Sequence, residues 1–258
     1  MSKNIGSLAN SATAYSERSQ ASRLVDSWSG ETAQEYQAAT ARLLLEVTAL
    51  HGREKTINAN GSLSPTGQFD QTKIAVQDFI AGLRWLRDLN GTLETKVGNL
   101  FGQLFIASIP KSTRSENAQA MRDHEIRIVI SALPPEQRNN EYLRASETDQ
   151  TEVLRAIQDS PMPLILDEVR LRADDERVAR REPKRYKAFI ENGELLNEVS
   201  CILQDCLDLG REFGLEVTPS VDEVGPKIRE ALEFAISHVG GKGKRVLVTS
   251  AKDAGSAD

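Results

Sequence analysis

Apolar side chains return at steps of three and four along most of the chain, which is the spacing of one face of an α-helix. From Glu31 onward, Tyr36, Leu43, Leu50 and Ile57 fall seven residues apart, and Ala33, Thr40 and Val47 run beside them as a second row. That seam predicts a long helix, closed by the turn formers of NANGSLSPTG between Asn58 and Gly67. A second helix follows on Phe69, Val76 and Leu83, with Thr72, Phe79 and Leu86 in parallel and Ile80 widening the stripe. The Asn90-Gly91 pair reads as the next turn. Leu93, Val97, Leu100, Phe101, Leu104 and Phe105 then predict a third helix, ending near Ile109 ahead of Pro110. Gly98 and Gly102 are read as a tight packing site or as two weak helix positions. A fourth helix is predicted over 116–133 on Ala118, Met121, Glu125, Val129 and Leu133, stopped by Pro134-Pro135.

Beyond it the pattern shortens. Tyr142-Leu143 marks one helical piece and Val153, Leu154 and Ile157 another, before Pro161 and Pro163; a highly charged helix runs from Leu164 to Arg181. Pro183 then opens the clearest element, with Phe189, Leu196, Leu203 and Gly210 at seven-residue steps accompanied by Val199, Cys206 and Phe213. At 1.5 Å per residue this seam predicts a helix up to about 45 Å long, with Gly214 as its stop. Leu195, Ile202 and Leu209 add a second apolar stripe to it, and these three are the candidate surface for pairing with another chain. A last helix is expected over Val221 to Val239, on Val224, Ile228, Leu232 and Ala235. The fold class is therefore all-α, a multi-helix bundle with long amphipathic helices. Residues 1–29, rich in Ser and Ala, are expected to be a disordered tail, 30–239 the helical domain with a sub-boundary near 110–115, and 240–258 a second disordered tail.

Composition narrows the function. Thirteen aromatics in 258 residues, 2 Trp, 4 Tyr and 7 Phe, are few for a β-sandwich. A net charge of −6 excludes a globally basic coat for nucleic acid. The most apolar stretch, Leu93 to Ile109, is broken by Glu94, Lys96, Asn99 and Gln103, so no membrane span and no membrane partner are expected. Cys201 and Cys206 sit five apart on one predicted helix, about 140° around its axis, where they cannot bridge each other. With no other cysteine and no apolar leader within Met1 to Ser29, a cytoplasmic, reducing setting is expected.

Candidate chemistry is sparse. His51, His124 and His238 fall on three separate predicted helices, and the two cysteines lack further ligands at zinc spacing, so neither a metal nor a cofactor is expected. No nucleophile elbow, HExxH or phosphate-loop motif occurs. The run Gly240-Gly241-Lys242-Gly243-Lys244 follows a helix rather than joining a strand to one, and so lacks the geometry for cradling phosphate. Asn60-Gly61-Ser62 and Asn90-Gly91-Thr92 match a glycosylation sequon but read as turns. The densest charge is a basic patch of Arg170, Arg172, Arg177, Arg180, Arg181, Lys184, Arg185 and Lys187, set against Asp174, Asp175, Glu176 and Glu182. It offers phosphate contacts. Its i,i+4 order of Glu176 and Arg180, and the lack of aromatics before Tyr186, favour a solvated helix face instead.

The segment from Asp123 to Lys187 carries a helix ending in a small turn, a charged helix, an acidic turn before Val153-Leu154-Arg155-Ala156-Ile157, then a proline and another helix. In that arrangement it resembles uncharacterised helical proteins encoded among bacteriophage and prophage genes. The resemblance implies a structural or assembly protein with no defined enzymatic activity, and it assigns no residue a role. The expected function is a non-enzymatic helical interaction protein, a virion or scaffold-like assembly protein acting in the host cytoplasm or the particle. Its expected partners are further copies of itself or other structural proteins. The alternatives are a nucleic-acid accessory using 170–187, and an enzyme whose polar cluster assembles only in three dimensions.

Overall fold

The computed structural model describes residues 4–20, 28–106 and 114–217. Among them the elements are helices, and no strand occurs. In chain order these are α1 (Ile5–Gln20), α2 (Gly30–Asn58), α3 (Pro65–Gly82), α4 (Arg84–Phe101), a π-helical turn (Gly102–Ile106), α5 (Glu116–Ser131), α6 (Pro135–Glu147), α7 (Thr151–Gln158), α8 (Asp167–Arg181) and α9 (Pro183–Glu212). Among the described residues the chain divides into two compact units, one of residues 4–20, 28–96 and 191–217, the other of residues 97–106 and 114–190. The division falls within α4 and α9 rather than near 110–115. The expected helix over Val221 to Val239 and the tail after it lie outside the described residues.

In the first unit the seam of α2 is buried as its spacing predicts, with Tyr36, Leu43, Val47 and Leu50 all inside. Ser29 caps this helix, its hydroxyl accepting from the Thr32 N–H, and Ser64 caps α3 in the same way from the Gly67 N–H, with Pro65 at the first helical position. Between them the Asn60 side chain accepts from the Ser62 N–H at 3.1 Å, the local bond that makes NANGS a turn.

Two sequence expectations need correction here. Residues 5–20 are not a disordered tail. Asn4 accepts from the Ser7 N–H at 2.7 Å to start α1, and Ile5, Leu8, Ala12 and Tyr15 form a buried stripe. The helix lies antiparallel on α2, with Gly6 near His51 at one end and Thr40 bonded to Ser19 at 2.9 Å at the other. The stretch has few large apolar residues, Ile5, Leu8 and Tyr15, yet its small Ala and Ser residues allow close packing. Nor is Asn90-Gly91 a turn. The break comes earlier, at Leu83 after Gly82, and α4 runs through Asn90, whose buried side chain accepts from Ser200 at 2.8 Å and donates to Glu94 at 2.7 Å.

The 30-residue helix α9 matches the predicted length. It ends in a Schellman motif: Leu215 N–H bonds to Gly210 O, Gly214 N–H bonds to Arg211 O, and Gly214 takes a φ of +65°. Gly210 is needed for contact as well, since a Cβ there would lie 2.8 Å from Val217 and 3.5 Å from Ile80 of α3.

The second unit has its own small core, made by Ile130, Tyr142, Ala145, Leu154, Ile157 and Ala173. Beside it Phe101, Phe105 and Phe189 cluster with ring centroids 5.1 to 6.5 Å apart. Gly102 has open space where a Cβ would point, so no neighbouring backbone uses it as a packing site. Of the row the spacing suggested for α5, Leu133 packs inward just past the helix end, whereas Ala118, Met121, Glu125 and Val129 are exposed and a different face of the helix turns inward. Ile126, Ile130 and Leu133 pack, together with buried Asp123, which stands 3.6 Å from Arg155. Met121 and Val129 point outward, because the ion pair and the Ile126 row fix the rotation of the helix.

Candidate functional site

The pairing surface expected on the long helix is interior. Leu195, Ile202 and Leu209 are 0%, 1% and 0% exposed. Beyond Ile190, α9 is enclosed on nearly every side, with Leu196, Val199, Leu203, Cys206 and Leu207 buried too. A helix enclosed on nearly every side, its polar side included, is a core helix, and the second stripe that marked a docking face instead marks burial on two sides.

That burial extends to its acids. Glu194, Glu198 and Asp205 share one side of α9 with Cys201 and each receives a hydrogen bond from an aromatic donor. Trp28 Nε1 donates to Glu194 at 2.6 Å, Tyr36 Oη to Glu198 at 2.9 Å, and Tyr15 Oη to Asp205 at 2.7 Å. Arg18 adds a charge 3.7 Å from Glu198 and stacks over the Tyr15 ring. Burial and these carboxylates hold Tyr15 and Tyr36 un-ionised well above the ordinary tyrosine range. Burial, with Glu198 and Asp205 behind it, pushes the Cys201 thiol up to about 11, which makes it a poor nucleophile at neutral pH. At 1.5 Å per residue, Glu198 and Asp205 stand about 10 Å apart along the axis, so they do not act as a proton-sharing pair. The row serves as a set of struts tying α1 and α2 to α9.

The second unit repeats the theme. Tyr142 donates to Asp174 at 3.1 Å, Gln158 reaches both, and Arg177 lies 3.5 Å from Asp174. Burial raises the Asp174 carboxyl, with Arg177 pulling the other way. Tyr186 donates to Asp175 at 2.7 Å.

The basic patch is largely committed to its own unit. Arg170 lies 3.0 Å from Asp167, Arg172 is 2.9 Å from Glu176, and Arg185 is 3.5 Å from Glu182. Arg181 is 3.7 Å from Asp149, and Arg180 donates to the Ser146 carbonyl at 3.0 Å and to that of Glu147. Arg177 is 1% exposed, out of reach of any phosphate. Lys184 and Lys187 are exposed near the start of α9. A nucleic acid would have to compete with these carboxylates for most of the patch.

Among the described residues no group of three His, Cys, Asp or Glu side chains converges to hold a metal, and no helix is long and apolar enough to cross a membrane. A cavity of about 370 Å³ lies by Ile80, Ala81 and Leu215, with Arg87, Gln77 and Glu216 as its polar lining and no nucleophile.

What the surface does present is apolar. Met121, Ile128 and Val129 of α5 are 68%, 54% and 63% exposed, and Met162 and Leu166 stand out from the same unit; Leu45, Phe69 and Ile74 do so in the other. Phe69 is partly covered, stacking on Phe213 at 5.7 Å. On α5 these residues lie along one face, Met121 separated from Ile128 and Val129 by Arg122 and Glu125, and the spacing had placed Met121 and Val129 on the core side. The signal was present as two competing apolar rows on one helix, but the pattern alone does not say which row turns inward. Comparison with protein-family models, curated proteins and solved structures finds no match to this chain.

Proposed function

We propose that this chain is a non-enzymatic helical assembly protein that works by docking structural proteins, its own copies among them. The observation that carries the reading is the contrast between interior and surface. Carboxylates and tyrosines are engaged in helix-to-helix struts, with the half-buried Cys201 thiol beside them, whereas large apolar side chains stand exposed on α5, the usual mark of a protein–protein interaction face. Its setting, as a phage- or prophage-encoded virion or scaffold-like protein of the host cytoplasm or particle, is supported by the arrangement of the segment from Asp123 to Lys187. The pairing surface is α5 rather than Leu195, Ile202 and Leu209. Mass spectrometry of purified particles and assembly intermediates from the replicon encoding the chain tests the reading. The chain is expected at a fixed ratio to the major structural proteins, and its absence from every particle and intermediate would remove this function.

A further inference from the structure

Resting on that assembly reading, we propose that α5 is a homotypic interface, pairing antiparallel with α5 of a second copy about a two-fold axis through Glu125. At 100° per residue, Ala118, Met121, Arg122, Glu125, Ile128, Val129 and Ala132 share an arc of about 120°, turned away from the buried Asp123, Ile126 and Ile130. Along this arc Ala118 and Ala132 lie seven residues to either side of Glu125, Met121 and Val129 four to either side, and Arg122 and Ile128 three to either side. Small and large apolar positions are thus balanced about Glu125, with Arg122 on one side of it and Ile128 on the other. A closed two-fold interface requires a patch complementary to itself, and this order supplies one.

The antiparallel direction follows from the sides on which these residues lie. Met121 and Ile128 lean to one side of the arc, Arg122 and Val129 to the other. A two-fold axis perpendicular to the helices sets Met121 against Ile128 of the second copy and lays the Arg122 stem over Val129 of the second copy. It also places one Arg122 on each side of the two central Glu125 carboxylates. Within one chain Arg122 is already oriented for this, with Glu125 at 3.1 Å and Glu152 at 3.6 Å. A parallel pair would put Met121 beside Met121 and both arginines on the same side of the glutamates, leaving the other side without a cation. Seven residues per copy bury about 1,000 Å² in total, at the threshold for a specific interface, so a weak, reversible dimer is expected.

Sedimentation velocity of the full chain, from about one to several hundred micromolar, tests the pairing. Dimerisation is expected to weaken at least about tenfold in Ile128→Glu, in Arg122→Glu and in Glu125→Arg, and to return to within about threefold of the original in the Arg122→Glu/Glu125→Arg double variant. Leu45→Glu on α2 should leave it unchanged. Because these side chains are exposed, far-UV circular dichroism should be the same for all variants. A monomer at every concentration, a dimer that survives Ile128→Glu, or a double reversal as weak as the single ones would overturn the proposal. A chain found in particles yet monomeric would overturn α5 pairing and leave the assembly reading standing. A dimer that behaves as expected from a chain absent from all particles would uphold the pairing and remove the assembly reading.

Discussion

Replacing Glu198 by Ala probes the polar row that ties α9 to the N-terminal helices. Sequence spacing alone places Glu198 off the main seam of the long helix, where an Ala substitution would change stability by no more than about 0.5 kcal/mol. The structure predicts otherwise. The Tyr36 hydroxyl, on a residue 1% exposed, would lose the acceptor it holds at 2.9 Å, and Arg18 would lose its partner at 3.7 Å. Stranding a buried hydroxyl costs about 1–3 kcal/mol, whereas the ion pair, with Arg18 half exposed, adds little. Tyr36→Phe removes the donor without creating a cavity. In a double-mutant cycle the Tyr36–Glu198 coupling should fall near 1.5–3 kcal/mol, the range for a hydrogen bond to a charged acceptor.

Urea unfolding followed by tryptophan fluorescence suits this measurement, because both tryptophans, Trp28 and Trp85, belong to the first unit. Trp28 also packs edge-on against the Tyr36 ring at 5.5 Å. Leu203→Ala is the reference for a core deletion, expected to cost about 2–5 kcal/mol. A coupling below about 0.5 kcal/mol, with Glu198→Ala as mild as a surface substitution, would refute the strut.

The four tyrosines, Tyr15, Tyr36, Tyr142 and Tyr186, are all held above their ordinary value, first by burial. Because the folded state keeps the proton, the stability this contributes is full below about pH 10 and is lost as pH rises above it. Tyrosinate absorbance should therefore appear together with loss of helical signal, and gradual ionisation at pH 10 in the folded chain would contradict it. Cys201, raised to about 11, and buried Cys206 should react with a thiol reagent at pH 8 only on unfolding; rapid modification of the native chain would argue against the packing of α9. Asp149 occupies a left-handed conformation, φ 55°, after α6. Asp149→Gly should raise the melting point of the second unit, by up to about 1 kcal/mol of stability, since Arg181 is a loose, exposed partner. A lower melting point would show that the Arg181 contact matters more than the backbone.

Periodicity was enough to determine the helical class, the length of α9 and its end at Gly214. It also marked the turn at Asn60 and the inward faces of α2 and α3 from Thr72 on. These depend on local geometry: a seam at steps of three and four, a serine at a cap, a glycine at a left-handed position. Tertiary structure decided what local pattern leaves degenerate. Asn90-Gly91 has the composition of a turn, and α4 runs through it because Ser200 on a distant helix, together with Glu94 one turn along α4, engages the Asn90 side chain. The stretch from Ile5 to Gln20 is too poor in large apolar residues to fold alone, and α2 with the Asp205 carboxylate supplies the surface that orders it. Leu195, Ile202 and Leu209 look the same in sequence whether they await a partner or already have one. On α5, two apolar rows compete for one core. The Asp123–Arg155 contact, between residues 32 positions apart, turns Ile126 and Ile130 inward and leaves Met121, Ile128 and Val129 at the surface.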